Sequence, residues 1–286
     1  MLRNYDINTT YNSLVNPVDG LANTFFKGMN VYVVAENKIP FGIVGYKVNG
    51  DDTHISLIVN DLKKDKEDEF MSYIVEDMTR KNHSKRIIID NIAGVSEEAL
   101  RYTSFKNING RYVKDIDKYR LSLEDKVFDK EGYIIYQGKM KSVRFGLLPS
   151  NINGCGWISA YNLSKMLGKE IPMEECAKGL NKLDISGKLL GQEVFTLFRW
   201  LRKKGLPVKF SFLSKSNGIK HMKSSRFGIL LYTHKRGSHY TAYKNVGGGK
   251  LHFYNAIYGK ENHIVTPEEF FKKYVLLPIA MVIYVE

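Results

Sequence analysis

Of the two cysteines in this 286-residue chain, Cys155 stands where a nucleophile would. It lies between Gly154 and Gly156 in NINGCGWISAYNLSKMLG (151–168), where Trp157, Ala160, Tyr161, Ser164 and Leu167 recur at the helical period and Gly168 marks a stop. A sulfur at the first turn of a helix feels the positive end of the backbone dipole, which favours the thiolate. The flanking glycines are expected to let the chain turn sharply and to leave the sulfur open. Cys176, within PMEECAKGL, has the apolar helical setting of a core thiol.

A thiol nucleophile needs an imidazole to take its proton and a third group to hold that imidazole. Among seven histidines, His239 opens the strand pattern SHYTAYKNV, and Asn255 ends the next one, KLHFYNAI. A hairpin across the intervening glycines would bring the two to one end, with the Asn255 side chain accepting the imidazole N–H. His234 sits in the preceding turn, His252 alternates away, and His54, His83, His221 and His263 have no partner nearby in sequence. No HExxH or CxxC spacing points to a metal, and GGGK (247–250) lacks phosphate-loop spacing, so no cofactor is expected.

These residues need a scaffold, and the chain supplies two kinds. Residues 30–60 carry three short β-branched runs joined by turns at KIP and NGDD, an antiparallel meander. A helix through Phe70, Tyr73, Ile74 and Met78 follows, then strand KRIIIDN, a helix opened by Ser96, and strand RYVKDIDKYRLSL. Residues 126–142 have no long period and read as a connection or a short first strand. Farther on, Val194, Leu197, Phe198 and Leu201 form one helical apolar face whose end carries Arg199, Arg202, Lys203 and Lys204.

Charge separates the same two parts. Residues 1–125 hold 17 Lys and Arg against 19 Asp and Glu, while residues 126–286 hold 26 against 11, giving −2 and +15 of the net +13. The second part is therefore expected to meet an acidic partner, here a peptide or protein substrate. No basic run is interleaved with aromatics, which argues against nucleic acid. The N-terminus shows no apolar run before a cleavage site, and YVLLPIAMVIYV is too short to cross a bilayer, so no membrane is expected. With two cysteines and no leader, the expected location is the cytoplasm.

Two resemblances can be stated. The β-β-β-α-β-α-β order of residues 25–125, with VYVVAENKIPFGIVGY and Ala99, Tyr102 and Phe105 in A-x-x-Y-x-x-F, resembles the GNAT acetyltransferases. That family binds the acetyl-CoA pyrophosphate on a glycine-containing loop. Here NDLKKDKEDEF stands in its place, without glycine and with Asp65, Glu67, Asp68 and Glu69 beside Lys63, Lys64 and Lys66. Tyr102 stands where the family often has a general acid and reads here as packing, so the resemblance implies a non-catalytic module. NINGCGWISAYNL, GSHYTAY and FYNA, within residues 140–286, resemble the papain-like cysteine peptidases, in the branch with the bacterial bacteriocin-processing, double-glycine leader peptidases. That branch carries an oxyanion Gln six residues before the nucleophile, where this chain has Pro149, so the resemblance implies a side-chain donor from Asn151, favoured over Asn153, beside the Cys155 main-chain N–H.

The expected protein is α+β with two domains: a GNAT-like mixed α/β domain over 1–126 and a papain-like cysteine peptidase domain over 127–286, its nucleophile helix packed on an antiparallel sheet. The expected activity is thiol-dependent hydrolysis of a peptide or amide bond through an acyl-thioester, by Cys155, His239, Asn255 and Asn151. The alternatives are acyl transfer by the same Cys–His pair and a catalytically dead basic binding module. The oligomeric state is left open.

Overall fold

In a computed structural model, the described residues are 2–4, 29–36, 39–60, 66–90, 94–183, 192–211, 215–235, 237–256, 263–277 and 280–286. They form a mixed α/β structure that divides into two compact units, 1–116 and 117–286.

In the first unit, β1 (Leu2–Asn4), β2 (Asn30–Glu36), β3 (Ile39–Asn49) and β4 (Asp52–Asn60) form a meander, and Gly50, at φ 60, makes the tight β3–β4 turn. Helix α1 (Glu67–Asn82) crosses over to β5 (Arg86–Ile89), which lies parallel to β4. After α2 (Glu97–Tyr102), β6 (Lys106–Ile108) and β7 (Arg111–Asp115) complete a seven-stranded sheet ordered β1-β2-β3-β4-β5-β7-β6. Val44, Ile55 and Ile87 from the sheet bury against Phe70, Ile74 and Met78 of α1. Their spacing along α1 is the helical period that the sequence shows. Ser96 caps α2 as expected, its Oγ accepting from Ala99 N at 3.2 Å. Of the acidic stretch at the expected cofactor loop, Lys63, Lys64 and Asp65 lie outside the described residues. Glu67 is buried, and its carboxylate accepts from Ser96 N at 3.1 Å, tying the start of α1 to that of α2.

The units part between Ile116 and Asp117, ahead of the expected 126/127 boundary. RYVKDIDKYRLSL, expected as one strand, stops at Asp115 and becomes helix α3 (Lys118–Ser122). The cause is Asp117, whose carboxylate takes Tyr119 N at 2.7 Å as an N-cap and Glu174 N at 3.5 Å. Arg120 then lies over Phe128 at 4.4 Å, so this segment packs within the second unit.

The second unit is a six-stranded antiparallel sheet with helices on both faces. Its strands are β10 (Lys209–Ser211), β11 (Phe227–His234), β12 (Gly237–Gly247), β13 (Lys250–Tyr254), β14 (His263–Val265) and β15 (Ala280–Val285), ordered β10-β15-β11-β12-β13-β14. The β8–β9 hairpin (Arg144–Phe145, Leu148–Pro149) leads to α4 (Ser150–Asn153) and α5 (Cys155–Met166). Helices α5, α6 (Met173–Leu183) and α7 (Val194–Lys203) share one core with Ile229, Ala242 and Ile283 of the sheet. Helices α8 (Lys215–Ser224) and α9 (Pro267–Tyr274) share the opposite core with Leu230, Tyr243 and Val282. Because both faces are covered, FGILLYT and AMVIYV are continuously apolar rather than alternating.

Every residue of α5 is buried. Asn162 on that helix holds the irregular 126–142 segment, accepting from Ile134 N at 2.9 Å and donating to Ile134 O at 2.8 Å. That segment is folded as two 3₁₀ turns, Asp125–Val127 and Gln137–Lys139, with Val127, Ile134 and Met140 in the core. Cys176 is fully buried, as expected. Among the described residues, no helix is long and apolar enough to cross a membrane.

Candidate active site

Cys155 is the first residue of α5, separated from α4 by Gly154 alone. The glycines on either side have a different role from the one expected. Gly154 has an ordinary φ of −84, and a Cβ there would lie 2.6 Å from the Ser150 carbonyl and 2.9 Å from Trp157 Nε1. A Cβ on Gly156 would lie 2.5 Å from Gln192 Cβ. Both positions need glycine because neighbours close over them, and Cys155 is only 8% exposed. The loop that closes over Gly156 is held to the sheet, since Tyr240 Oη donates to Gln192 O at 2.8 Å.

Main-chain N–H groups of Tyr240, Gly156 and Cys155 itself, near the sulfur, favour the thiolate. Burial outweighs them and pushes the thiol pKa above its ordinary value. The expectation that the helix start would yield a ready thiolate is therefore corrected: desolvation outweighs the main-chain N–H contributions. The Tyr240 N–H among them brings Cys155 near the peptide that joins His239 to Tyr240. Strand β13 ends at Tyr254, opposite Ala242, so among the described residues that flank of β12 has no ladder partner at His239 and Tyr240.

His239 Nε2 lies 2.7 Å from the main-chain carbonyl of Asn255. A carbonyl only accepts, so Nε2 carries the proton and Nδ1 holds the lone pair a base requires. Burial is the main reason the imidazole pKa falls to about 4; the nearby His234 also lowers it, while the Asn255 carbonyl opposes the fall. The two histidine rings are 6.2 Å apart, and Tyr232 stands edge-on to His239 at 5.9 Å. At neutral pH both candidate partners are therefore uncharged.

Asn255 does meet His239, but not through its side chain as expected. Just past the end of β13 it takes a left-handed conformation, φ 56, which turns its carbonyl to the imidazole and its carboxamide elsewhere. Oδ1 accepts from Gln137 N at 3.0 Å, and Nδ2 donates to Gln137 Oε1 at 2.9 Å. Sequence reasoning missed Gln137. Its one signal is a lone amide after the apolar YIIY run.

Asn151 lies on α4, with its N–H on Met140 O at 3.2 Å. Its Oδ1 is buried without a hydrogen-bond partner among the described residues. Asn153, the other candidate, is buried on the same short helix. At the basic end of α7, Lys204 pairs with Glu175 and Arg202 lies over the Phe198 ring at 5.9 Å. Among the described residues, no cluster of His, Cys, Asp and Glu suits a metal ion.

No family model matches the chain, and no curated protein matches it. Among solved structures, the chain is similar to the peptidase domain of Streptococcus ComA, a bi-functional ABC transporter involved in a quorum sensing pathway. Identity is 14% and the TM-score 0.35, over 47% of this chain and 93% of that one. It is also similar to a putative acetyltransferase from Staphylococcus aureus Mu50, at 15% identity and TM-score 0.28, over 40% of this chain and 98% of that one. An acetyltransferase from Bacillus subtilis in complex with CoA gives 15% identity and TM-score 0.25, over 41% and 97%. At these values the activity has to be argued from the residues gathered at the start of β12.

Proposed function

We propose that this chain is a cysteine-nucleophile hydrolase that opens a peptide or amide bond through an acyl-thioester. What supports the reading is the nearness of Cys155 to the Tyr240 main-chain N–H, next to His239, together with His239 Nε2 bonded to the Asn255 carbonyl, which leaves Nδ1 as the base. Nδ1 takes the thiol proton as sulfur attacks the carbonyl carbon, because a neutral pair transfers its proton with the attack rather than before it. The Cys155 main-chain N–H and the Asn151 side chain are the proposed oxyanion donors. When the C–N bond breaks, the imidazolium returns its proton to the leaving amine. Water, deprotonated by Nδ1, then attacks the thioester, releasing the carboxylic acid and restoring the thiol.

The +15 balance of residues 126–286 supports an acidic peptide or protein as substrate. In this reading the first unit is an acetyltransferase-like accessory without its own catalysis, and the protein works in the reducing cytoplasm, where two free thiols persist.

The test is acid-quenched intact mass after exposure to a mixture of peptidyl coumarin amides. An acyl adduct on Cys155 is expected in the wild type, absent in Cys155→Ala and formed more slowly in His239→Ala. Turnover that survives Cys155→Ala would refute the reading. Amide product in place of acid on adding glycine methyl ester would show acyl transfer instead.

A further inference from the structure

We infer that Gln137 is a positioning residue for His239, acting through Asn255; the inference rests on the reading of His239 as the proton acceptor. The imidazole is held by a main-chain carbonyl, and such a group holds a ring only as firmly as its own peptide is held. Asn255 lies beyond the end of β13, and among the described residues no strand ladder fixes it. Its φ of 56 is one that non-glycine residues adopt at a cost, though asparagine tolerates it better than most.

Gln137 supplies what the ladder does not. Its main-chain N–H and its side-chain Oε1 occupy both ends of the Asn255 carboxamide, at 3.0 and 2.9 Å, and all these groups are buried. A two-point clamp fixes the side-chain torsions of Asn255 and, through them, the plane of the carbonyl facing His239. Only a carboxamide at 255 satisfies both contacts, because it donates at one end and accepts at the other.

The clamp also ties the base to the nucleophile. Gln137 lies three residues after Ile134, and Ile134 is bonded through both its N–H and its C=O to Asn162 of α5. The same helix begins at Cys155. A continuous path therefore runs from the nucleophile helix through residues 134–137 to Asn255 and the imidazole. It holds the His239 ring relative to Cys155 without passing through the sheet.

The experiment is ¹⁵N NMR of the imidazoles in the full-length protein, with the rate of Cys155 alkylation by iodoacetamide measured in parallel. The wild type is expected to show His239 as the single Nε2–H tautomer. Asn255→Gly keeps the left-handed backbone accessible but removes both clamp bonds, and Gln137→Ala removes one. Both are expected to yield a tautomer mixture and to slow alkylation, Asn255→Gly by about tenfold, a modest part of what a positioned base contributes. Gln137→Glu keeps the acceptor for Asn255 Nδ2 and is expected to retain the wild-type tautomer. If Asn255→Gly and Gln137→Ala, both folded, keep the single Nε2–H form, or if Gln137→Glu loses it as fully as Gln137→Ala, the clamp is overturned. His239→Ala reports separately: unchanged alkylation in that variant overturns the base reading, whatever the tautomer shows.

Discussion

Acid should weaken the 117–286 unit through His239 by an amount its burial sets. The imidazole moves from an ordinary 6.5 to about 4 in the folded chain. A base with a depressed folded pKa contributes stability that is present above its unfolded pKa and lost as pH falls through the folded one. Between pH 7 and 4.5 that loss is about 2 to 3 kcal/mol, at 1.36 kcal/mol per pH unit. Asp129 works in the opposite direction: burial raises its carboxyl from 3.8 to about 7, so its contribution is present below its unfolded pKa and fades as pH rises toward 7. The His239 part must therefore be read as a difference between wild type and His239→Gln, in which the Asp129 contribution cancels. Urea unfolding monitored by tryptophan fluorescence isolates this unit, since both tryptophans of the chain, Trp157 and Trp200, lie in it and are buried. The stability gap between wild type and variant should shrink by the same 2 to 3 kcal/mol, roughly, from pH 7 to pH 4.5. An equal gap at both pH values would refute the claim that a buried, neutral imidazole is built into the fold.

Three further outcomes are expected. Alkylation of Cys155 by iodoacetamide should accelerate only above the ordinary thiol range of about 8.5, and Cys176, whose pKa burial raises further, should lag behind it at every pH, as peptide mass spectrometry would show. Gly156→Ala places a methyl 2.5 Å from Gln192 Cβ and should cost about 1 to 3 kcal/mol in the same urea assay, unless the Gln192 loop yields. Asn162→Leu strands the N–H and C=O of Ile134 in the core, and about 2 to 4 kcal/mol should be lost, with thermal melting as a second check.

Much of the scaffold was legible because it rests on local rules. The meander of residues 30–60, helix α1 and the Ser96 cap come from β-branched runs, helical spacing and one hydroxyl. The apolar runs of β11 and β15 are likewise legible as strands, whereas the covering of both faces of their sheet shows only in the tertiary structure. Where a side-chain cap overrides periodicity, the reading failed: Asp117 ended the strand expected to continue through Leu123 and carried residues 117–126 into the second unit.

For the site, residue types and their order were open to sequence: a cysteine at a helix start, a histidine opening a strand and an asparagine ending the next. What sequence could not decide is which atoms of these residues meet. Asn255 presents its carbonyl rather than its amide to His239, because its left-handed turn and a partner 118 residues away set its direction. The charge state of the pair is equally non-local. A helix N-terminus by itself predicts a thiolate, yet desolvation depends on everything packed over Cys155, including Gln192 and Tyr240, and that burial leaves thiol and imidazole neutral. Local spacing determined which residues reach the site, and long-range packing decided their contacts and protonation, because burial and hydrogen-bond partners exist only once the chain has closed.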